Sequence, residues 1–231
     1  MSRPAAALAA FWLAASPAAS CEVALVLAVD VSGSVDPQEY DLQMEGLAAA
    51  LGDPTVRDAL TGAAAEVAVI QWSGSSRQSI VAPWSAMRGE ADVDRLIEAV
   101  EAAPRAFRHF STAIGDALSF SADMLGEVAG RCARLVVDVS GDGPSNEGAD
   151  VGAMRDALVR GGVLINGLAI EISEPGLSDY YRDEVIGGPG SFVMTARDFA
   201  DYPRAIRRKL LRELTAPVVD AAPPPRAASP G

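Results

Sequence analysis

Two short segments of the chain carry the residue types of an oxygen-ligand site. The first is Asp30-Val31-Ser32-Gly33-Ser34. Alternate residues of an extended loop point the same way, so one carboxylate and two hydroxyls can converge there. The second is Ser140-Gly141-Asp142-Gly143, which offers another carboxylate. Between them, His109-Phe110-Ser111-Thr112 adds a hydroxyl at Thr112. Two carboxylates and three hydroxyls on three loops form a hard donor set. Magnesium suits such a set, because it takes oxygen ligands in octahedral geometry and keeps some of its waters; manganese and calcium are the alternatives. With few protein charges around it, an ion held there stays electrophilic and can accept a carboxylate from a partner in place of a water.

Each piece has a local explanation when taken alone. Asp and Ser favour turns, and an Asp between two glycines is most simply a turn residue. Thr112 before a helix is most simply an N-cap. Placement is what raises the combination. The first segment directly follows a buried strand and precedes a capped helix, and Asp142 closes another buried strand.

Composition narrows the chemistry further. The 231 residues hold 19 Lys plus Arg against 31 Asp plus Glu, a formal net charge of −12. A chain this acidic, with no basic run, is a poor binder of nucleic acid or of an anionic membrane. One histidine cannot build a multi-histidine zinc or iron centre, and two cysteines cannot build a four-thiolate cluster. Any metal would therefore be held mainly by oxygen. A hydrophobic fraction of 49 % is enough for a core, and the length suits one domain with tails.

The elements that must position these residues alternate between two periods. Apolar runs at 22–30, 66–72, 134–140 and 163–170 read as strands buried on both faces. Short strands are expected at 79–81, after a Gly74-Ser75-Ser76 turn, and at 191–195. Asp36-Pro37-Gln38-Glu39 reads as a capping box opening a helix that places Tyr40, Met44, Leu47 and Leu51 on one face. Further helices are expected near 90–102, 112–125, 149–160 and 198–214. Strands alternating with helices predict an α/β domain: a doubly wound, mostly parallel sheet with one antiparallel edge strand and helices on both faces. In such sheets ligands bind beyond the carboxyl ends of the strands, at the switch in strand order. No Gly-x-Gly-x-x-Gly follows the first strand and no Walker sequence occurs, so the common nucleotide fingerprints are absent.

The ends read differently. Arg3, the apolar run from Ala5 to Ala15, and Ala18 and Ser20 before Cys21 have the layout of a signal peptide over 1–20. A secreted or periplasmic protein is then expected. The apolar run is too short for a membrane span, and no later segment supplies one. A lipoprotein signal with an acylated Cys21 is the rival reading, weakened by Ala18 where a large aliphatic residue belongs. The domain is expected over 21–215. Residues 216–231, rich in proline and alanine, read as a disordered tail.

In order and spacing the chain resembles a von Willebrand factor type A domain carrying a metal-ion-dependent adhesion site (MIDAS). The resemblance covers roughly 22–214 and rests on DVSGS at 30–34, on the threonine in STAIGDAL at 111–118, and on SGDG at 140–143. It implies Asp30, Ser32, Ser34, Thr112 and Asp142 as the metal-site positions. The stretches LAVDVSGSVD, VVDVSGDGPSN, INGLAI and YYRDEVIGGPGSFV are similar to a group of secreted, single-domain bacterial proteins with no assigned activity. One departure stands out: Gly141 occupies a position where the usual pattern has a hydroxyl residue, which puts one supporting hydrogen bond in doubt. The implied fold also sets the first and fourth core strands side by side, with Asp30 and Asp142 at the same end. Cys21 and Cys132 then fall together near the opposite end, which implies a Cys21–Cys132 disulfide, fitting an oxidising compartment.

Enzyme readings fare worse. A serine hydrolase would need His109, the only histidine, as its base, and no Gly-x-Ser-x-Gly elbow exists. Phosphoryl transfer from the Asp30 loop would need an acid at position 32, which is serine. Asp138, inside a strand, needs a partner and is expected either to support the site or to pair with an arginine. Trp72 reads as core rather than ligand contact. Tyr180, Tyr181 and the glycine-rich stretch at 187–190 form an insertion of open role. The expected function is a non-enzymatic module that binds a partner's Asp or Glu through a divalent ion. The alternative is a structural or assembly role in which the metal loop only stabilises the fold.

Overall fold

The run CEVALVLAVD has no polar residue between Glu22 and Asp30, and a strand of this kind must be covered on both sides. In the computed structural model, which describes residues 21–172 and 174–215, it forms β1 (Cys21–Asp30) near the middle of a six-stranded sheet. The other strands are β2 (Glu66–Trp72), β3 (Gln78–Ala86), β4 (Cys132–Gly141), β5 (Val163–Ile170) and β6 (Val193–Ala196). Their order is β3-β2-β1-β4-β5-β6. All neighbours are parallel except β2 and β3. The expected signal peptide and tail lie outside the described residues.

The order reverses between β1 and β4. From β1 the chain moves outward to β2 and β3, and later returns on the other side as β4, β5 and β6. The carboxyl ends of β1 and β4 therefore form the switch point where such sheets bind ligands. Successive side chains of β1 alternate between two apolar layers. Leu25, Leu27 and Val29 pack with α1 (Pro37–Gly52), α2 (Pro54–Gly62), α3 (Glu90–Glu101) and α7 (Tyr202–Leu214). Ala24, Val26 and Ala28 pack with α4 (Ile114–Val128) and α5 (Val151–Arg160), and with a segment made of α6 (Leu177–Tyr180) and a π-helical turn, Tyr181–Val185.

Local signals set the helix starts. Asp36 accepts hydrogen bonds from the amides of Gln38 and Glu39 at 2.7 and 2.9 Å, and Glu39 accepts one from the Asp36 amide, so the capping box is complete. Tyr40, Met44, Leu47 and Leu51 are buried as their spacing predicts. Helix α2 was not anticipated, although Asp53 caps it and Pro54 opens it. The edge strand is longer than the expected 79–81. It runs to Ala86 through Pro83, which a strand can tolerate at a sheet edge, and its register shifts around Val69.

Two devices tie the sheet together away from the site. Cys21 pairs with Cys132 in register and the two are joined as a disulfide with a Cα–Cα distance of 4.5 Å. On the α7 face, Lys209 lies fully buried between Asp138 (2.7 Å) and Glu213 (2.6 Å), and Asn166 donates to Glu213 at 2.9 Å. Asp138 thus neither supports the metal site nor meets an arginine. Its side chain has the parity of Val136, which points to the α7 layer, and its partner is the only lysine in the chain. Burial and the nearby Asp138 charge push Glu213 up to about 7, against the pull of Lys209.

Two outcomes follow. The disulfide closes a sequence separation of 111 residues, so Cys132→Ser should cost about 2–5 kcal/mol of stability, read from denaturant titrations with and without reductant. An acid whose folded value is raised costs stability as it ionises. Between its ordinary 4.5 and about 7, rising pH should therefore weaken the fold through Glu213. Glu213→Gln should flatten that part of the stability–pH curve, and an unchanged slope would contradict this assignment.

Candidate metal centre

Parallel pairing of β1 with β4 brings two acids to one place. Val29 is paired with Ser140, so Asp30 and the β4 end at Gly141-Asp142 leave the sheet side by side. Asp30 is fully buried and Asp142 is 4 % exposed. The loop after β1 then folds over them. Oδ1 of Asp30 accepts the Ser32 amide at 2.7 Å, a local turn of the kind Asp favours. Ser34 Oγ donates to Asp142 Oδ1 at 2.7 Å and lies 3.2 Å from Ser32 Oγ. Thr112 Oγ1 donates to Ser32 Oγ at 3.3 Å. The five residues singled out by the sequence thus form one continuous set of oxygens. Ser34 is exposed, which opens the set to solvent, while Ser32 and Thr112 are buried.

Thr112 is not a cap. Helix α4 begins at Ile114, and its first amide is bonded by Ser145 Oγ from the β4–α5 loop. The Thr112 backbone exchanges bonds with Asn146, at 3.0 and 2.9 Å. Its hydroxyl is therefore free to face Ser32. Sequence reasoning missed these supports. It also missed Gln43, whose amide donates to the Asp30 carbonyl at 2.9 Å, and Arg105, which donates to the carbonyls of Val31 and Ser32 at 3.1 and 2.7 Å. Gln43 could have been noticed as a polar residue inside the buried stripe of α1. Arg105 offered no such signal.

The electrostatics are unfavourable for two bare carboxylates. Burial, and then the Asp142 charge, push Asp30 up to about 8. Burial raises Asp142 as well, opposed by its bond from Ser34. Arg105 spends its hydrogen bonds on backbone carbonyls, and no salt bridge reaches either acid among the described residues. Asp30 Oδ2 is buried and has no hydrogen-bond partner among the described residues. An orphaned buried acceptor beside a second acid and three hydroxyls fits a small, hard cation. Among the described residues no three His, Cys, Asp or Glu side chains cluster as metal ligands, so hydroxyls are needed to complete such a sphere.

His109 lies exposed in the loop before Thr112 and makes no hydrogen bond to Ser32 or Ser34. Trp72 is fully buried in the α4–α5 layer, and Tyr181 is fully buried beneath the site.

A family model described as "Protein of unknown function (DUF1194)" matches residues 20–218. The chain belongs to this family. Solved structures place the DUF1194 chain in the von Willebrand factor type A fold. Proximal thread matrix protein 1 from the mussel byssus, in a form with a zinc-occupied MIDAS motif, is 16% identical with a TM-score of 0.64, over 84% of this chain and 48% of that one. A von Willebrand factor type A protein from Catenulispora acidiphila is 20% identical with a TM-score of 0.60, over 84% and 43%. The pilus adhesin SpaC from Lactobacillus rhamnosus GG is 12% identical with a TM-score of 0.61, over 84% and 31%. The chain thus spans half or less of these proteins. No curated protein matches it in sequence.

Asp142→Asn keeps an acceptor for Ser34 but removes one of two crowded charges. It should leave the metal-free protein as stable or more stable, while abolishing any rise in melting temperature on adding magnesium. Thermal melts with and without the ion check both parts.

Proposed function

We propose that this protein is a non-enzymatic, extracytoplasmic binding module whose divalent ion engages an acidic residue of a partner protein. The observation that carries the reading is the buried Asp30–Asp142 pair, capped by three hydroxyls and open to solvent only at Ser34. Asp30 and Asp142 would supply the charge that holds magnesium, and Ser32, Ser34 and Thr112 would complete the protein side of the sphere. A bound ion supplies positive charge and an exchangeable position at the mouth. The chain's own side chains bind and orient it, with the Asp30 turn and the Ser34–Asp142 bond fixing their geometry.

The surroundings of the mouth favour an acidic partner. Phe110 is 43% exposed, its carbonyl accepts the Gly33 amide at 2.8 Å, and the Arg77 guanidinium lies 4.6 Å from its ring centroid. Arg108 and His109 are exposed on the same loop. Two arginines thus stand near the metal position in a chain of net charge −12, although Glu147 also lies beside Phe110 and Arg77. The disulfide supports an oxidising compartment, secreted or periplasmic. Among the described residues no helix is long and apolar enough to cross a membrane. Two of the similar structures supply parallels, a zinc-occupied MIDAS in the mussel protein and adhesion in SpaC. The non-enzymatic reading is supported by the serines, whose hydroxyls are engaged with one another, Thr112 and Asp142, and not with His109.

Immobilised protein should capture its partner from an extracytoplasmic fraction in magnesium and lose at least about 10-fold of it in EDTA or as Asp142→Asn. Capture that survives both changes would instead favour the structural reading, which the bonding among the Ser32, Ser34, Thr112 and Asp142 side chains also allows.

A further inference from the structure

Tyr181 is fully buried, and among the described residues its hydroxyl has no hydrogen-bond partner. A buried phenol normally finds one. The fold makes unusual provision for this ring. A Cβ on Gly167 of β5 would lie 2.7 Å from Tyr181 Cδ1, so only glycine leaves room there. A Cβ on Gly141 of β4 would lie 2.7 Å from the Tyr181 hydroxyl. That same point is 2.8 Å from Asp30 Oδ2, another buried oxygen without a partner among the described residues. The two unpartnered oxygens therefore flank one empty Cβ position, no farther apart than the sum of those two lengths. Tyr181 also begins the π-helical turn Tyr181–Val185, a local insertion that re-aims side chains relative to an α-helix. Its neighbour Tyr180 accepts the Ser145 amide at 3.2 Å, so this segment reaches the loop behind Asp142 as well.

We propose that Tyr181 is a positioning residue of the metal centre: its hydroxyl donates to Asp30 Oδ2 when the site is loaded, across the space that Gly141 leaves open. The inference rests on the metal-binding reading above. Asp30 is already fixed on one side, because Oδ1 accepts the Ser32 amide. A donor at Oδ2 fixes the other side and favours the ionised carboxylate that a cation requires. The hydroxyl missing from position 141 is thus replaced by one brought from a distant helix. A side chain at 141 would occupy the gap and strike both oxygens, so the glycine and the tyrosine belong to one arrangement.

Titration calorimetry with magnesium on wild type, Tyr181→Phe and Gly141→Ala tests this, with denaturant titrations of the metal-free proteins alongside. Tyr181→Phe should weaken binding at least about 10-fold, as loss of a ligand-orienting partner does. Metal-free stability should stay equal or rise, since the change removes a buried hydroxyl that bonds to nothing. Gly141→Ala should also weaken binding, and the double variant should lose no more than the larger single loss. Unchanged affinity in Tyr181→Phe overturns the inference. So does a loss of affinity matched by an equal loss of metal-free stability, the mark of a packing role, or additive losses in the double variant. Wild type that binds no divalent ion removes both the proposed function and this inference. Binding by wild type that is indifferent to Tyr181→Phe removes only this one.

Discussion

Two carboxylates that the sheet will not let apart set the terms for this molecule. Asp30 and Asp142 leave the ends of adjacent parallel strands, and the β1–β4 register holds them side by side under a lid of serine and threonine hydroxyls. Burial penalises both charges, and the Asp142 charge adds to the cost at Asp30. Among the described residues no side-chain cation is in direct contact with the pair. Such an arrangement is unfavourable as it stands and becomes favourable once a small cation is present. Stability that could have come from pairing is held back for a ligand, a common trade at functional sites.

The rest of the fold can be understood as what holds this pair in place. At the far end of the same two strands, Cys21 and Cys132 lock the register covalently. On the α7 face, Lys209 pairs with Asp138 and Glu213 in a buried polar cluster, so the one acid within β4 is turned away from the site. A buried ion pair is weak support for stability in itself. Its position explains why lysine appears here in a chain that otherwise uses arginine. The slim, fully buried ammonium sits within 2.7 Å of two carboxylates, where a guanidinium fork would need more room.

Much of this was legible in the sequence because the signals were local. The apolar runs, the Asp36–Glu39 capping box and the Asp30–Ser34 turn each follow from neighbouring residues, and the structure places them where those residues demand. The gathering of Asp30, Ser32, Ser34, Thr112 and Asp142 followed from strand order, through the resemblance that gave it. What could not be read was non-local. Thr112 is released from capping because Ser145, 33 residues on, bonds the first amide of α4. Asp138 finds a lysine 71 positions away, because strand parity turns it toward α7. Tyr181, read from the sequence only as part of an insertion of open role, is buried because two glycines on neighbouring strands open a slot for it. Helix α2 had its cap and proline in plain sight, but only Val56 and Leu60 are buried along it, too few to show a period.

The central claim is that these five side chains hold a divalent ion. Crystals grown or soaked in manganese test it most directly through the anomalous signal. One strong peak is expected among the side-chain oxygens of Asp30, Ser32, Ser34, Thr112 and Asp142, absent in Asp142→Asn crystals treated alike. No peak there at saturating manganese, with Ser32, Ser34, Thr112 and Asp142 still bonded to one another, would contradict it.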